Sequence, residues 1–259
     1  MQKRPSSLGF APTIMFLAGF FALALLFGRA DASEPQPERA HRAGRRFEVS
    51  YMRWNSFYKR SLLATSREAE GAKRWLAESR ELWYALLYRF FDSPPAEFAD
   101  DPHWRDDLAS ITGYLHLAEW HAYAGDFPAA HDSLEPVRYI WMRMRERNEV
   151  AWFGDEVTRY HDVMEPLVQW GIGNARGGVT PENVAQFEGE LEELFAAWQR
   201  LGKFRYHRGN WRLLHLVKQH NREALDALQA AVSTRQYQTI PDASRGVRAA
   251  FIALFMGFG

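Results

Sequence analysis

The sequence predicts an all-α protein, an antiparallel helical bundle of about eight helices that follows an N-terminal signal segment. The first observation behind this prediction is that apolar residues recur every three or four positions along most of the chain, the period of an amphipathic helix. The second is that the sequence contains no sustained alternation of apolar and polar residues and no Asn-Gly or Asp-Gly dipeptide. Neither of the usual local signals for a β-hairpin is therefore present.

The helical segments are separated by residues that start or stop helices. Prolines interrupt the pattern in the segment 93–95, and glycines interrupt it in the segment 171–178. Asp126, Thr180 and Asp242 are predicted N-caps of the fourth, sixth and eighth helices, because their side-chain oxygens can accept hydrogen bonds from free amide groups. The predicted helices span about 47–63, 67–91, 103–124, 127–147, 155–171, 180–201, 209–233 and 242–258.

The N-terminal segment 1–32 has the three-part layout of a secretory signal peptide. Lys3 and Arg4 form a positive start, an apolar stretch covers about 8–27, and small residues occupy both ends of the tripeptide 30–32. We expect export to the periplasm or the extracellular space. The apolar stretch is also close to the roughly 20 residues that cross a bilayer, so an uncleaved membrane anchor is the alternative.

The remaining chain is predicted to form a main helical bundle and a smaller group of C-terminal helices that packs against it. Residues 33–46 are expected to be a flexible tail and 47–171 the main helical bundle. A Gly-rich linker, 172–179, then leads to C-terminal helices at 180–259 that dock on the bundle.

The chain contains no cysteine. This excludes disulfides, thiolate metal sites, iron–sulfur clusters and covalently attached haem, all of which need cysteine sulfur. Ligands for a metal or cofactor must therefore come from histidine, carboxylate, methionine or tyrosine side chains.

The C-terminal third is basic although the whole chain has a formal net charge of zero. From Lys203 onward there are nine Lys or Arg residues and three Asp or Glu residues. Such a region can attract an anionic membrane surface or an acidic protein partner in the cell envelope. A solvated helix face is the simpler interpretation, and nucleic acid is not expected as a partner outside the cytoplasm.

The most specific signal is a six-residue motif that occurs twice. Residues 131–136 are HDSLEP and residues 161–166 are HDVMEP, so both copies have the form H-D-x-[LM]-E-P. Within each copy, histidine and glutamate are four residues apart and share one face of a helix. Imidazole and carboxylate groups suit Cu, Fe, Zn or Mn. The predicted metal ligands are His131, Glu135, His161 and Glu165.

If the two helices pack antiparallel, Glu135 faces Glu165 with a histidine one turn away on either side. Two carboxylates in this arrangement need a cation or a proton between them. His116 and Glu119, on the preceding helix, are predicted to complete the site. In the alternative interpretation, Arg138 pairs with Glu135, and the motif residues form a structural polar network.

The stretch 117–130, LAEWHAYAGDFPAA, resembles one helical hairpin of the tetratricopeptide family. The resemblance lies in a small residue, a tyrosine, a Gly-Asp-aromatic turn and a following alanine, and it supports a helix-turn-helix at about 110–147. It covers one repeat, whereas such arrays need about three repeats. The resemblance implies peptide or protein binding in a groove.

Two functions are thus in contention. One is binding of a transition metal or small cofactor through the paired motifs. The other is a helical interaction module, an adaptor or subunit of an envelope assembly, in which the motif residues are structural. Binding is favoured over catalysis, because the sequence contains no nucleophile elbow, phosphate-binding loop or HExxH motif.

Overall fold

The computed structural model describes residues 36–69, 71–204 and 211–259. The predicted signal segment, 1–32, lies outside them. Over these ranges the chain is all-α, as predicted, and residues 40–259 form one compact unit. The helices are α1 (Gln36–Ser66), α2 (Ala72–Phe90), α3 (Trp104–Tyr123), α4 (Phe127–Arg147), α5 (Phe153–Ile172), α6 (Val184–Lys203), α7 (Trp211–Ser233) and α8 (Ile240–Phe258), with a short 3₁₀ helix at Ala96–Phe98. None of these helices has the length and hydropathy needed to cross a membrane.

Helix α1 begins at Gln36, inside the segment 33–46 that was expected to be a flexible tail. The expectation was wrong from Gln36 onward, because the prediction relied on an apolar stripe. Residues 36–46 are mostly Gln, Glu, Ala and Arg, which favour helix through their backbone propensity even where no apolar stripe marks them.

One of the three predicted N-caps is confirmed. The Asp126 side chain accepts a hydrogen bond from the Ala129 amide at 3.0 Å. Thr180 does not cap α6, because Asn183 accepts from the Thr180 amide at 2.8 Å and closes a turn ahead of the helix. Asp242 lies within the first turn of α8, which begins after Thr239. A capping residue and a first-turn acid look alike in sequence, since both stabilise the same helix end.

The buried side chains form two clusters, one from α1–α4 and one from α5–α8. In the first cluster, Trp54 lies 5.0 Å from Trp83 between ring centroids, and both are fully buried. The core therefore divides between α4 and α5, whereas the sequence-based organisation placed α5 with the main bundle and the boundary at 172–179. The reason is visible at Gly171, where a Cβ would lie 2.1 Å from the Ser244 hydroxyl of α8. The missing side chain lets α5 and α8 approach closely.

Polar contacts join the two clusters. Arg145 of α4 donates two hydrogen bonds to Asp155 of α5, at 2.9 and 2.6 Å, and both side chains are buried. Lys59 of α1 donates to the backbone carbonyls of Phe255 and Met256 in α8, at 3.0 and 3.1 Å. The same four helices, α1, α4, α5 and α8, also surround the motif residues.

Candidate ligand pocket

Both copies of the motif lie within continuous helices. Pro136 is inside α4 and Pro166 is inside α5, so each proline removes one backbone hydrogen bond without ending its helix. The two helices present their motif faces toward a cavity of about 500 Å³. We call this cavity the motif pocket. Its polar lining includes His131, Glu135, Arg138, His161, Glu165, Gln169 and Arg248, and its apolar lining includes Leu62, Phe251, Ile252 and Phe255.

The four residues predicted to ligate a metal therefore do line one cavity. The structure supplies more than those four, since Arg138 and Arg248 line the same cavity. The positive charges of these two guanidinium groups offset the negative charges of Glu135 and Glu165. The contacts of each carboxylate show which guanidinium it pairs with.

His131 is oriented by the backbone of α1. Its Nδ1 lies 3.1 Å from the carbonyl oxygen of Leu62 and 3.3 Å from the hydroxyl of Thr65. Because a carbonyl can only accept, this geometry assigns the ring proton to Nδ1. The other nitrogen, Nε2, then lies 3.4 Å from Oε1 of Glu135, its partner within the motif.

Arg138 lies between the two copies. Its side chain is only 8% exposed, and its Nη2 contacts both the Glu135 carboxylate and Nδ1 of His161, the latter at 2.9 Å. A guanidinium can only donate, so His161 accepts at Nδ1 and carries its proton on Nε2. Burial alone would lower the pKa of Arg138, but the negative charge of Glu135 and other anions outweighs it and holds that pKa above the usual value. Arg138 is therefore a fixed cation.

Glu165 turns away from the histidine of its own copy. Its Oε1 accepts from Arg248 at 2.6 Å and from Gln169 at 2.8 Å. The antiparallel register predicted a carboxylate pair held together by a shared metal or proton. Instead, Glu135 is neutralised by Arg138 and Glu165 by Arg248.

His116 and Glu119 are not brought to the motif pocket. The Nε2 of His116 lies 2.5 Å from the Tyr84 hydroxyl, and Glu119 accepts two hydrogen bonds from Arg80, both at 2.7 Å. These contacts join α2 to α3. Among the described residues, no group of three or more His, Asp or Glu side chains is arranged to hold a metal ion.

Sequence reasoning missed Arg248 and the Leu62 carbonyl. Arg248 lies directly before the apolar second half of α8, and a charge next to such a stretch is a signal that it faces a partner. The Leu62 carbonyl gave no signal, because backbone groups are the same in every residue. Its role follows only from how α1 packs against α4.

The hairpin that resembles the tetratricopeptide family is formed by the end of α3 and the start of α4. Trp120 and Tyr123 are exposed on its outer surface, at 64% and 62%. The resemblance itself, and the protein partner that it implies, stay predictions.

Comparisons with protein-family models, with curated proteins and with solved structures found no match to this chain.

Proposed function

We propose that this protein binds a small zwitterionic molecule of the amino-acid type in the motif pocket. By its predicted signal segment it does so outside the cytoplasm, in the periplasm or the extracellular space. The observation that carries the proposal is the convergence of both motif copies on one cavity together with Arg138 and Arg248. With Arg67, Glu68 and Asp132, which also line it, the cavity thus offers both carboxylates and guanidiniums to a single ligand.

The charges of the lining residues favour a ligand that carries both a positive and a negative group. A purely anionic ligand would lie against Glu135 and Glu165, and a purely cationic one against Arg138 and Arg248. In a molecule with both groups, the ammonium can pair with the carboxylates of the pocket and the carboxylate with its guanidiniums. These charge-assisted hydrogen bonds replace the hydrogen bonds to water that the protein and the ligand lose on binding.

The size and the apolar lining fit the same class. Pockets for small ligands typically enclose about 300–1,000 Å³ and combine apolar walls with a few polar groups. Phe251, Ile252 and Phe255 of α8 form an apolar wall beside the charged groups. The ring of His161 lies 5.0 Å from that of Phe251, which joins the two parts of the lining. The Nε2–H group of His161 is a further donor for a ligand carboxylate.

The test is thermal denaturation of the purified chain with a panel of the twenty free amino acids and a set of dipeptides, followed by calorimetric titration. A ligand at about 100 times its Kd adds about 2.7 kcal/mol to stability, which corresponds to a rise in Tm of roughly 5–10 °C for a protein of this size. We expect at least one panel member to produce this rise.

Two variants make the result specific to the pocket. Arg248→Met is expected to abolish the rise, because it removes the guanidinium that lies beside Glu165 in the cavity. Arg235→Met is the matched control, since Arg235 lies just after α7 and forms an exposed ion pair with Glu188 of α6 at 2.9 Å. A panel that leaves the Tm unchanged, or a control variant that loses binding as fully as Arg248→Met does, contradicts the proposal.

A second candidate function is binding of a transition metal by the α4 copy of the motif alone. Its support is the orientation of His131: metal-bound histidines usually donate their other ring N–H to a carbonyl or carboxylate, as Nδ1 does here to Leu62. Nε2 and Oε1 of Glu135 then face each other as two ligands for Cu, Fe, Zn or Mn. Solvent would have to supply the other ligands.

Zinc chloride titrated into the metal-free chain separates the two candidates. The metal candidate predicts binding that His131→Ala abolishes and that His161→Ala leaves unchanged, because Arg138 occupies the ring nitrogen of His161 that faces it. No zinc binding, or equal loss in both variants, counts against this candidate and leaves the zwitterion proposal standing.

A further inference from the structure

The first turns of α7 are exposed in several directions. Trp211, Leu213 and Leu216 are 68%, 47% and 61% exposed, while Leu214 between them is buried against α5–α8. Single exposed apolar side chains are common on soluble proteins, but three large ones within six residues mark an interaction surface.

The sequence around these residues is strongly basic. The sequence contains no Asp or Glu from 194 to 222, and it contains seven Lys or Arg residues there. Among the described residues of this stretch, Arg200 and Lys203 at the end of α6 and Arg212 at the start of α7 are exposed. The guanidinium of Arg212 lies 5.5 Å from the centroid of the Trp211 ring.

We propose that this basic–aromatic surface, comprising Arg200, Lys203, Trp211, Arg212, Leu213 and Leu216, binds the anionic face of a lipid bilayer. Tryptophan prefers the boundary between headgroups and acyl chains, and Lys or Arg beside it is attracted to anionic headgroups. The positive end of the α7 dipole points the same way.

The distribution of the side chains favours lipid over an acidic protein. A helix that docks in a protein groove presents its apolar residues on one face, at three- and four-residue spacing. Leu213 and Leu216 lie about 60° apart around the helix, but Trp211 lies about 140–160° from them, on another side, since successive residues turn by about 100°. A fluid boundary can surround such a helix end, whereas a groove contacts one side of it. This proposal is independent of the motif pocket.

The experiment is vesicle co-sedimentation of the chain without residues 1–32, so that the N-terminal apolar stretch cannot contribute; residues 40–259 form a compact unit. Vesicles of phosphatidylcholine alone are compared with vesicles that also contain phosphatidylglycerol. We expect binding to the anionic vesicles at least about tenfold stronger than to the neutral ones, and weaker binding as salt is raised.

Three variants locate the contact. Trp211→Ser with Leu216→Ser, and Arg200→Gln with Lys203→Gln and Arg212→Gln, are each expected to weaken binding by about tenfold. Trp120→Ser is the matched control, because Trp120 is 64% exposed on α3, far from basic residues in sequence. The proposal is overturned if the wild type does not sediment with anionic vesicles, or if the control variant weakens binding equally. Binding to soluble polyglutamate without binding to vesicles overturns it in favour of an acidic protein partner.

Discussion

The two copies of the H-D-x-[LM]-E-P motif have the same residues at the same spacing but different contacts. In the α4 copy, His131 faces the glutamate of its own copy, Glu135, at 3.4 Å. In the α5 copy, Glu165 contacts Arg248 at 2.6 Å, and His161 accepts from Arg138 at 2.9 Å. The aspartates are both exposed but differ in contacts, since Asp162 accepts a hydrogen bond from the hydroxyl of Tyr139.

The difference shows that a repeated local motif fixes which side chains share a face, while the neighbouring helices decide what each one binds. Arg138 is the residue that makes the copies unequal, because it contacts the glutamate of the first and the histidine of the second. The α5 copy has no equivalent cation within its own helix. Arg248 reaches it from α8.

The largest effect is expected from Arg138→Met, which removes the contact between the copies. Glu135 then loses its cation in a mostly buried setting, and His161 loses its donor. Breaking a buried ion pair from one side typically costs 3–5 kcal/mol, and since Glu135 is partly exposed we expect about 3 kcal/mol in the free energy of unfolding. Urea denaturation measures it.

The companion variant decides whether the loss comes from the unpaired carboxylate. Adding Glu135→Gln to Arg138→Met removes the charge that was left without a partner, and we expect it to restore part of the lost stability. If Arg138→Met unfolds at the same urea concentration as the wild type, Arg138 does not hold the two copies together.

An intermediate effect is expected from Arg248→Met in the α5 copy. Both Arg248 and Glu165 are about one third exposed, so solvent screens the pair and can solvate Glu165 when the arginine is removed. We expect a loss of about 1 kcal/mol or less, measured in the same urea series. A loss as large as that of Arg138→Met would mean that the two ion pairs contribute equally to the free energy of unfolding, and it would contradict the proposed difference between the copies.

The smallest effect on stability is expected from replacing the aspartates of the motif, and it depends on pH. Burial raises the pKa of Asp162, but the adjacent His161, the Tyr139 hydrogen bond and the charge of Arg138 together lower it by more, so the pKa lies below its usual value. A carboxyl group of this kind stabilises the fold above its unfolded pKa, and this stability is lost as pH falls through the folded pKa, here below the ordinary aspartate value of 3.8.

Because the Asp162 side chain is 40% exposed, solvent screens these contacts, and we expect Asp162→Asn to cost only about 0.5 kcal/mol at neutral pH, with its difference from the wild type shrinking in acid below about pH 4. Asp132→Asn, at the matching position of the α4 copy, is the control and should leave stability nearly unchanged. Equal losses for the two variants at neutral pH would show that the aspartates are equivalent after all.

Much of the fold was predictable because it follows from local chemistry. The apolar period and the breaks at 93–95 and 125–126 predicted eight helices, and the cap at Asp126 set the start of α4. The convergence of the two motif copies was predictable from helix spacing and an antiparallel turn. The pairing of Arg138 with Glu135, the alternative to metal binding, was predictable as well, since the two residues are three apart on one helix.

The contacts that give the pocket its character were not predictable in the same way. Arg248 is far from Glu165 in sequence, and only the close packing of α5 on α8 at Gly171 brings them together. Likewise, the Leu62 carbonyl orients His131 because α1 packs on α4, a tertiary contact that local periodicity does not encode.

The contacts in the motif pocket place the ring proton on opposite nitrogens in the two motif histidines, and a single NMR spectrum tests this difference. Long-range ¹H–¹⁵N correlation NMR distinguishes the two neutral forms of a histidine ring. Above the pH at which both rings are neutral, we predict the proton on Nδ1 for His131 and on Nε2 for His161, with His131→Ala and His161→Ala variants assigning the signals. The same form in both rings would contradict the claim.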